Sequence, residues 1–459
     1  MKFVKTILKI IYRGFICGKL YYFERRFAKE QKNDMRYLDK EIEKYALEIE
    51  LPSFEEKIAS NRIAFLATEL YDFGGHTEVI KNIIESLPKE YESKLFLAKK
   101  YRTLHCAPVK MMEILQYCEM DGVNFGYEND KRALLKMFGK ITEFAPKAIF
   151  VFMHNNDVFC TALLALLKKR TKIKIFYSDI CSHQFGIGMS FADLILEGMP
   201  SVVFITQKYR GFKNTFMNWI CYLPREKLPV IAENEVWEMR KKILPPDALC
   251  TMSGAAAYKF FENDDSPYLK MIEGLLSRNE NLYHILITEF TPRHRNIFDS
   301  IFKNSTVKNR IKLLNFTPNF KLLFKCADVF IDSFPVSSAF TMIDLMSLKV
   351  PFAVKINRDN IAFSFHEYLI PDYPYMFDNV QDMEAGIEDL LFSKERREQI
   401  AEMNFEHFLN FFEGKKHASH LIDLANCEDL SKVYDEEIDE QQYRDFKKME
   451  LLPFPYGLS

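Results

Sequence analysis

Four stretches of this 459-residue chain bring together side chains that can do chemistry. The richest runs from Asp332 through Ser333-Phe334-Pro335-Val336-Ser337-Ser338-Ala339-Phe340 to Thr341-Met342-Ile343-Asp344. A strand end, a Pro-Ser-Ser turn and a helix start with small and hydroxyl residues would expose free backbone N–H groups. Those groups suit a diphosphate, with Ser337, Ser338 and Thr341 adding hydroxyls. Asp344, one turn further in, has a carboxylate able to accept two hydrogen bonds side by side from vicinal ribose hydroxyls; a capped helix with one buried aspartate is the alternative. A second stretch, Met252-Ser253-Gly254-Ala255-Ala256-Ala257-Tyr258-Lys259, offers room for a phosphate at Ser253 and Gly254 and a countercharge at Lys259. It lacks the G-x-x-x-x-G-K-[ST] spacing of an ATPase loop. A third, Glu69 to Thr77, holds Gly74, Gly75 and His76, which fit either a tight turn with a polar cap or an anion-binding helix start. The fourth, Ser178 to Gly188, places His183 in a glycine-bearing loop, as a catalytic base or a structural hydrogen-bonder.

Short apolar runs alternating with helical stretches must position these loops. Ile63–Ala67, Ala148–Phe152, Lys172–Tyr177 and Val202–Ile205 read as strands of one half. Leu249–Met252, Tyr283–Thr288, Ile311–Leu314, Val329–Asp332 and Phe352–Ile356 read as strands of another. Helices are expected over Glu78–Leu87, around 162–167, and over Asn319–Cys326, Thr341–Leu348 and Lys394–Phe412. Leu244-Pro245-Pro246-Asp247 reads as the joint. The expected organisation is an N-terminal helical extension (1–60), two Rossmann-like domains (61–244 and 245–395), and a closing helix with an acidic tail (396–459). Ligands of such sheets bind beyond the carboxyl ends of the strands, where all four loops fall.

Composition narrows the function. With 48% hydrophobic and 27% charged residues the chain reads as soluble and globular. A net charge of −2 lacks the basic excess of a nucleic-acid binder. The nine cysteines are scattered and form no C-x-x-C pair, which argues against a zinc cluster or disulfide framework and for a cytoplasmic setting. Abundant Phe, Lys, Ile and Asn resemble AT-rich bacterial coding. Seven Lys/Arg against one Glu in the first 27 residues describe a basic amphipathic segment, without an apolar run of the ~20 residues that cross a bilayer. It suits either peripheral membrane contact or packing on the protein's own core.

Taken in order, these segments resemble GT-B glycosyltransferases, above all the inverting O-linked N-acetylglucosamine transferase class and bacterial adhesin-type protein glycosyltransferases. Thr341-x-x-Asp344 with Pro351 resembles that family's diphosphate and ribose residues, and Tyr258-Lys259 its Tyr-Lys pair, whose lysine neutralises the diphosphate. Ser182-His183-Gln184-Phe185-Gly186 with Phe191-Ala192-Asp193 resembles the bacterial HADHxFxxG…AD segment, with His183 as its second histidine. Departures are Ile180 and Ser182 in that segment, Ala339-Phe340 in a His-Thr-Thr triplet, and Ala256 for a glutamine. The retaining GT-B pattern of two glutamates eight positions apart would need Val336 to be an acid, which favours inversion.

The resemblance implies two doubly wound α/β domains facing an interdomain cleft. It implies transfer from a nucleotide diphosphate sugar, UDP-linked, to a protein or glycan acceptor, with no metal and no cofactor. His183 and Lys259 would be catalytic. Alternatives are a non-catalytic nucleotide-sugar or glycan-binding protein, and a membrane-associated transferase acting on lipid-linked glycan or lipopolysaccharide precursors.

Overall fold

The computed structural model describes residues 19–30, 34–72, 75–179, 185–198, 200–218, 221–262, 265–317, 319–356, 369–370 and 372–435. They divide into two compact units, one of residues up to Pro224 plus the segment from Gly414, the other of Arg225–Glu413.

Unit 1 holds seven parallel strands: β1 Ala59–Ala67, β2 Glu92–Leu97, β3 Glu119–Gly122, β4 Pro146–Phe152, β5 Lys174–Asp179, β6 Leu194–Glu197 and β7 Thr215–Met217. Their order, β3-β2-β1-β4-β5-β6-β7, reverses direction between β1 and β4. Unit 2 repeats the plan with β8 Leu249–Gly254, β9 Leu282–Ile287, β10 Ile311–Leu314, β11 Val329–Ile331, β12 Phe352–Lys355 and β13 Met376–Phe377. Its order is β10-β9-β8-β11-β12-β13, with the reversal between β8 and β11. Both are doubly wound sheets, whose switch points lie beside β1 and β8.

Alternation along β1 shows why the apolar runs are continuous. Ala64 and Leu66 enter the layer under the helices Arg36–Leu47 and Val158–Arg170, while Ile63, Phe65 and Ala67 enter the opposite layer. That second layer is closed by the helices Gly75–Ser86 and Gly414–Asn426. The chain thus returns to unit 1 after the long helix Lys394–Phe411 of unit 2. Gly414 sits where a side chain would strike Ser86 Oγ and the Tyr222 carbonyl, each 2.4 Å from the site of a Cβ.

Two expectations change. Val202–Ile205 is buried but helical, within Pro200–Lys208, and the strand beside β5 is Leu194–Glu197. A four-residue apolar run does not tell a buried strand from a buried helix, and Pro200 at the helix start decided it. The units divide at Pro224/Arg225, whereas Pro245-Pro246 links the helix Glu233–Ile243 to β8 inside unit 2. Of the two settings open to the basic N-terminal segment, core packing is the one seen for Leu20, Phe23 and Phe27, which are buried in unit 1. Residues 1–18 lie outside the described residues.

Candidate functional site

In unit 2 the loop after β8 and the loop after β11 are tied together by one lysine. Lys259, on the short turn Ala257–Phe260, donates from Nζ to the Ser337 carbonyl at 2.7 Å and to Ser338 Oγ at 3.1 Å. Burial pushes its pKa down, and the Asp332 carboxylate at the end of β11 opposes that shift. Ser338 is the residue before the helix Ala339–Ser347, yet its side chain does not cap it; its hydroxyl lies 3.2 Å from Ser333 Oγ instead. The start of this helix thus has no side-chain cap from Ser338. Thr341 and Asp344 follow Ser338 at intervals of three, along one side of the helix. Thr341 is half-buried. Asp344 is buried, with Lys321 Nζ 3.6 Å from its Oδ1. A half-buried cation, an uncapped helix start, hydroxyls and a carboxylate are what a nucleoside diphosphate would require.

Two proposed ligand-binding residues of this stretch turn inward. Ser253 is fully buried; its hydroxyl donates to the Ile331 carbonyl at 2.5 Å and accepts from Tyr268. Tyr268 and Thr251 in turn flank His284 at 3.0 Å on either ring nitrogen, a polar chain inside the sheet. Gly254 leaves room for the Phe324 ring, 3.3 Å from where a Cβ would stand, so its missing side chain serves helix packing.

In unit 1, the segments after β1 and β4 meet at the switch point. Thr68 Oγ1 donates to Asp157 Oδ2 at 2.6 Å and accepts the His154 N–H at 2.9 Å, locking the two loops. Glu69 is buried; it accepts the Tyr71 hydroxyl at 2.8 Å and pairs with Arg102 Nε at 2.6 Å. With its proton committed to Glu69, the Tyr71 oxygen faces His154 Nε2 at 3.3 Å, and the two rings stack at 5.8 Å. His76 Nε2 donates to the Phe152 carbonyl at 2.9 Å, which leaves Nδ1 as a lone pair, buried without a hydrogen-bond partner. Burial pushes both histidines down to about 4, so both rings are neutral near pH 7. For His154, Asp157 opposes the shift while Lys99 and Arg102 add to it.

The structure brings Lys259, Ser337 and Ser338 into contact and sets Thr341 and Asp344 along the same helix. His76 lies in unit 1 at the start of the helix Gly75–Ser86, whose first residue is Gly75. Gly74 and His183 lie outside the described residues. In the loop that follows His183, Gly188 has a φ of 92° and donates its N–H to Asp39 Oδ1 at 2.8 Å. Asp193 accepts the Ile175 N–H at 2.8 Å and joins β5 to β6. Those positions have structural work to do. Sequence reasoning missed Lys321 and His154; the polar run His154-Asn155-Asn156-Asp157 directly after a buried strand was the available signal for the latter.

No protein-family model and no curated protein sequence matches the chain. Solved structures do. A glycosyltransferase from Rickettsia africae superposes with a TM-score of 0.61 at 10% identity, over 80% of this chain and 98% of that one. Anabaena Alr3699/HepE in complex with UDP gives 0.62 at 10% identity, over 80% and 99%. A mutant of the Thermobaculum terrenum O-GlcNAc transferase gives 0.54 at 12% identity, over 86% and 74%. At such identities the likeness is one of fold, and it agrees with the strand orders above: this chain has the GT-B fold of the glycosyltransferases that its sequence resembles.

Proposed function

We propose that the protein transfers a sugar from a nucleotide diphosphate donor, UDP-linked, to a hydroxyl of a glycan or protein acceptor, with inversion. One observation carries this reading: the half-buried Lys259 ammonium is held against the uncapped start of the helix that bears Thr341 and Asp344. Asp344 would take the ribose hydroxyls, and the helix start and Thr341 the diphosphate. As the bond from the anomeric carbon to the diphosphate breaks, charge grows on the leaving oxygens. Lys259 and the helix N–H groups would stabilise it, so the reading calls for no metal. The UDP complex of Alr3699/HepE supports a UDP-linked donor by analogy.

Inversion requires the acceptor hydroxyl to lose its proton as it attacks. Within unit 1, His154 is held by Tyr71 beside Glu69 with a neutral ring that could take such a proton, and His76 has a second lone pair at Nδ1. A proton arriving on His154 would be stabilised by Glu69, whose Oε1 lies 3.9 Å from Nδ1. His183 remains a candidate for the same role from the sequence resemblance. The test is release of nucleoside diphosphate across a panel of nucleotide sugars, with and without glycan acceptors. Release from none of them by the folded chain would refute the proposal.

A further inference from the structure

Lys259 rests on two groups of one turn, and that turn is itself braced. The Ser338 hydroxyl accepts the ammonium at 3.1 Å, and the Ser337 carbonyl accepts it at 2.7 Å. The same Ser338 donates its backbone N–H to Asp332 Oδ2, over a long 3.4 Å. Ser333 closes the turn by donating to the Val336 carbonyl at 2.8 Å, with its oxygen 3.2 Å from the Ser338 hydroxyl. One serine therefore stands between a carboxylate that follows β11 and an ammonium that follows β8. Asp332 is only 1% exposed, so its charge acts through protein rather than through water.

A buried carboxylate is costly unless hydrogen bonds or an opposite charge compensate it. The field of Asp332 falls on Lys259. Burial favours loss of the lysine's proton, and Asp332 is the charge that acts against that loss. The other titratable groups packed around the turn add no comparable charge. Tyr268, on the helix Pro267–Arg278, and His284, on β9, are both neutral near pH 7; burial pushes the first well up and the second down to about 3. Asp344, on the helix Ala339–Ser347, meets Lys321, and Glu262, which follows the turn, is exposed. We propose that Asp332 is a positioning residue of this site: by holding Ser338 and facing Lys259 with a negative charge, it keeps the ammonium seated on the turn.

The test reads Lys259 without any donor, as the pH dependence of its carbamylation by cyanate, which takes only the unprotonated amine, followed by peptide mass spectrometry. In Asp332→Asn, which keeps the shape and removes the charge, the midpoint of that dependence should fall by about one pH unit or more. Ser333→Ala loosens the same turn without touching the charge, and should keep the native midpoint. Equal midpoints in the native and Asp332→Asn chains would overturn the proposal, and so would an equal fall in Ser333→Ala. Should Asp332→Asn not fold, Asp332→Ser, smaller and also uncharged, takes its place; failure of both to fold would make Asp332 a structural residue and overturn the proposal as well.

A second readout rests on the sugar-transfer reading. Nucleoside diphosphate release by Asp332→Asn should fall further behind the native chain between about pH 6.5 and about pH 8.5, reaching at least about tenfold at the upper end. In Lys259→Met the same change should cost nothing more, because the group it acts through is gone. A loss that is equal at every pH would overturn the positioning role. Absence of release by the native chain would refute transfer, and the carbamylation midpoints would then decide the role of Asp332 by themselves.

Discussion

Replacing Lys259 by methionine tests the donor site with the least disturbance of the fold. The substitution keeps the length and apolar stem of the side chain and removes a charge that burial already destabilises. It leaves the Ser337 carbonyl and the Ser338 hydroxyl without their donor. That loss costs about 1–3 kcal/mol, and relief of the buried charge offsets much of it, so the denaturation midpoint should move little. The effect on transfer should be far larger. At about 4 Å and an effective dielectric of about 20, an ammonium and one unit of developing diphosphate charge interact by about 4 kcal/mol. Losing that in the transition state slows turnover about a thousandfold. The assay is nucleoside diphosphate release under saturating donor, alongside calorimetric binding of UDP. Release within tenfold of the native rate by a folded Lys259→Met variant would refute the role of this lysine, and with it the principal support for the transfer reading.

His154→Asn should lower transfer about a hundredfold or more while UDP binding stays unchanged, as expected for a base on the acceptor side; equal losses in both would place it elsewhere. His284→Phe tests the polar chain inside the unit 2 sheet. Burial holds His284 down at about 3, against 6.5 when unfolded, so the native protein loses stability as pH falls through this interval. The variant, destabilised by about 1–3 kcal/mol at pH 7 for want of partners to Thr251 and Tyr268, lacks this term. Its deficit in urea denaturation should shrink by about 2 kcal/mol between pH 6.5 and 5, and a constant deficit would contradict the assignment. Phe65→Ala removes a fully buried ring stacked on Phe150 and Phe152, and should cost about 3–5 kcal/mol in the same measurement.

The strands were legible where both faces of the sheet are covered, because burial on both sides admits polar residues only where they find partners, as Thr251, Ser253 and His284 do. Ile311–Leu314 agrees with its expected bounds, and the other expected strands of unit 2 differ by one or two residues at their ends. Reading failed where length was the only guide. Leu194–Glu197 is four residues ending in a charge, and Glu197 is buried, its pKa pushed well up by burial and by Asp179. A buried glutamate beside a buried Asp179–Arg210 pair is a tertiary arrangement that no local pattern announces. The unit boundary failed for a related reason. A proline pair marks a break in helix, but whether the break separates units depends on what packs across it.

The site divides along the same line. Residues whose role is set by their own element could be read in advance: Thr341 and Asp344 share one helix, and their spacing implies their common side. Lys259 was legible only as a charge among small residues; that it meets the carbonyl of Ser337, 78 positions later, follows from β8 and β11 being neighbours. His154 shows what remained hidden. The polar run from His154 to Asp157 marks a loop after a buried strand, but it does not distinguish a base from a surface imidazole. Its environment comes from Tyr71 and Glu69, more than eighty residues earlier, and from Thr68, which fixes its backbone. The crossing of β1 and β4 at the sheet's reversal brings these groups together, so the functional meaning of His154 lies in strand order. A candidate base of this kind becomes visible once topology is known, and the loop after β4 joins the glycine-bearing loop after β5 as a place to mutate.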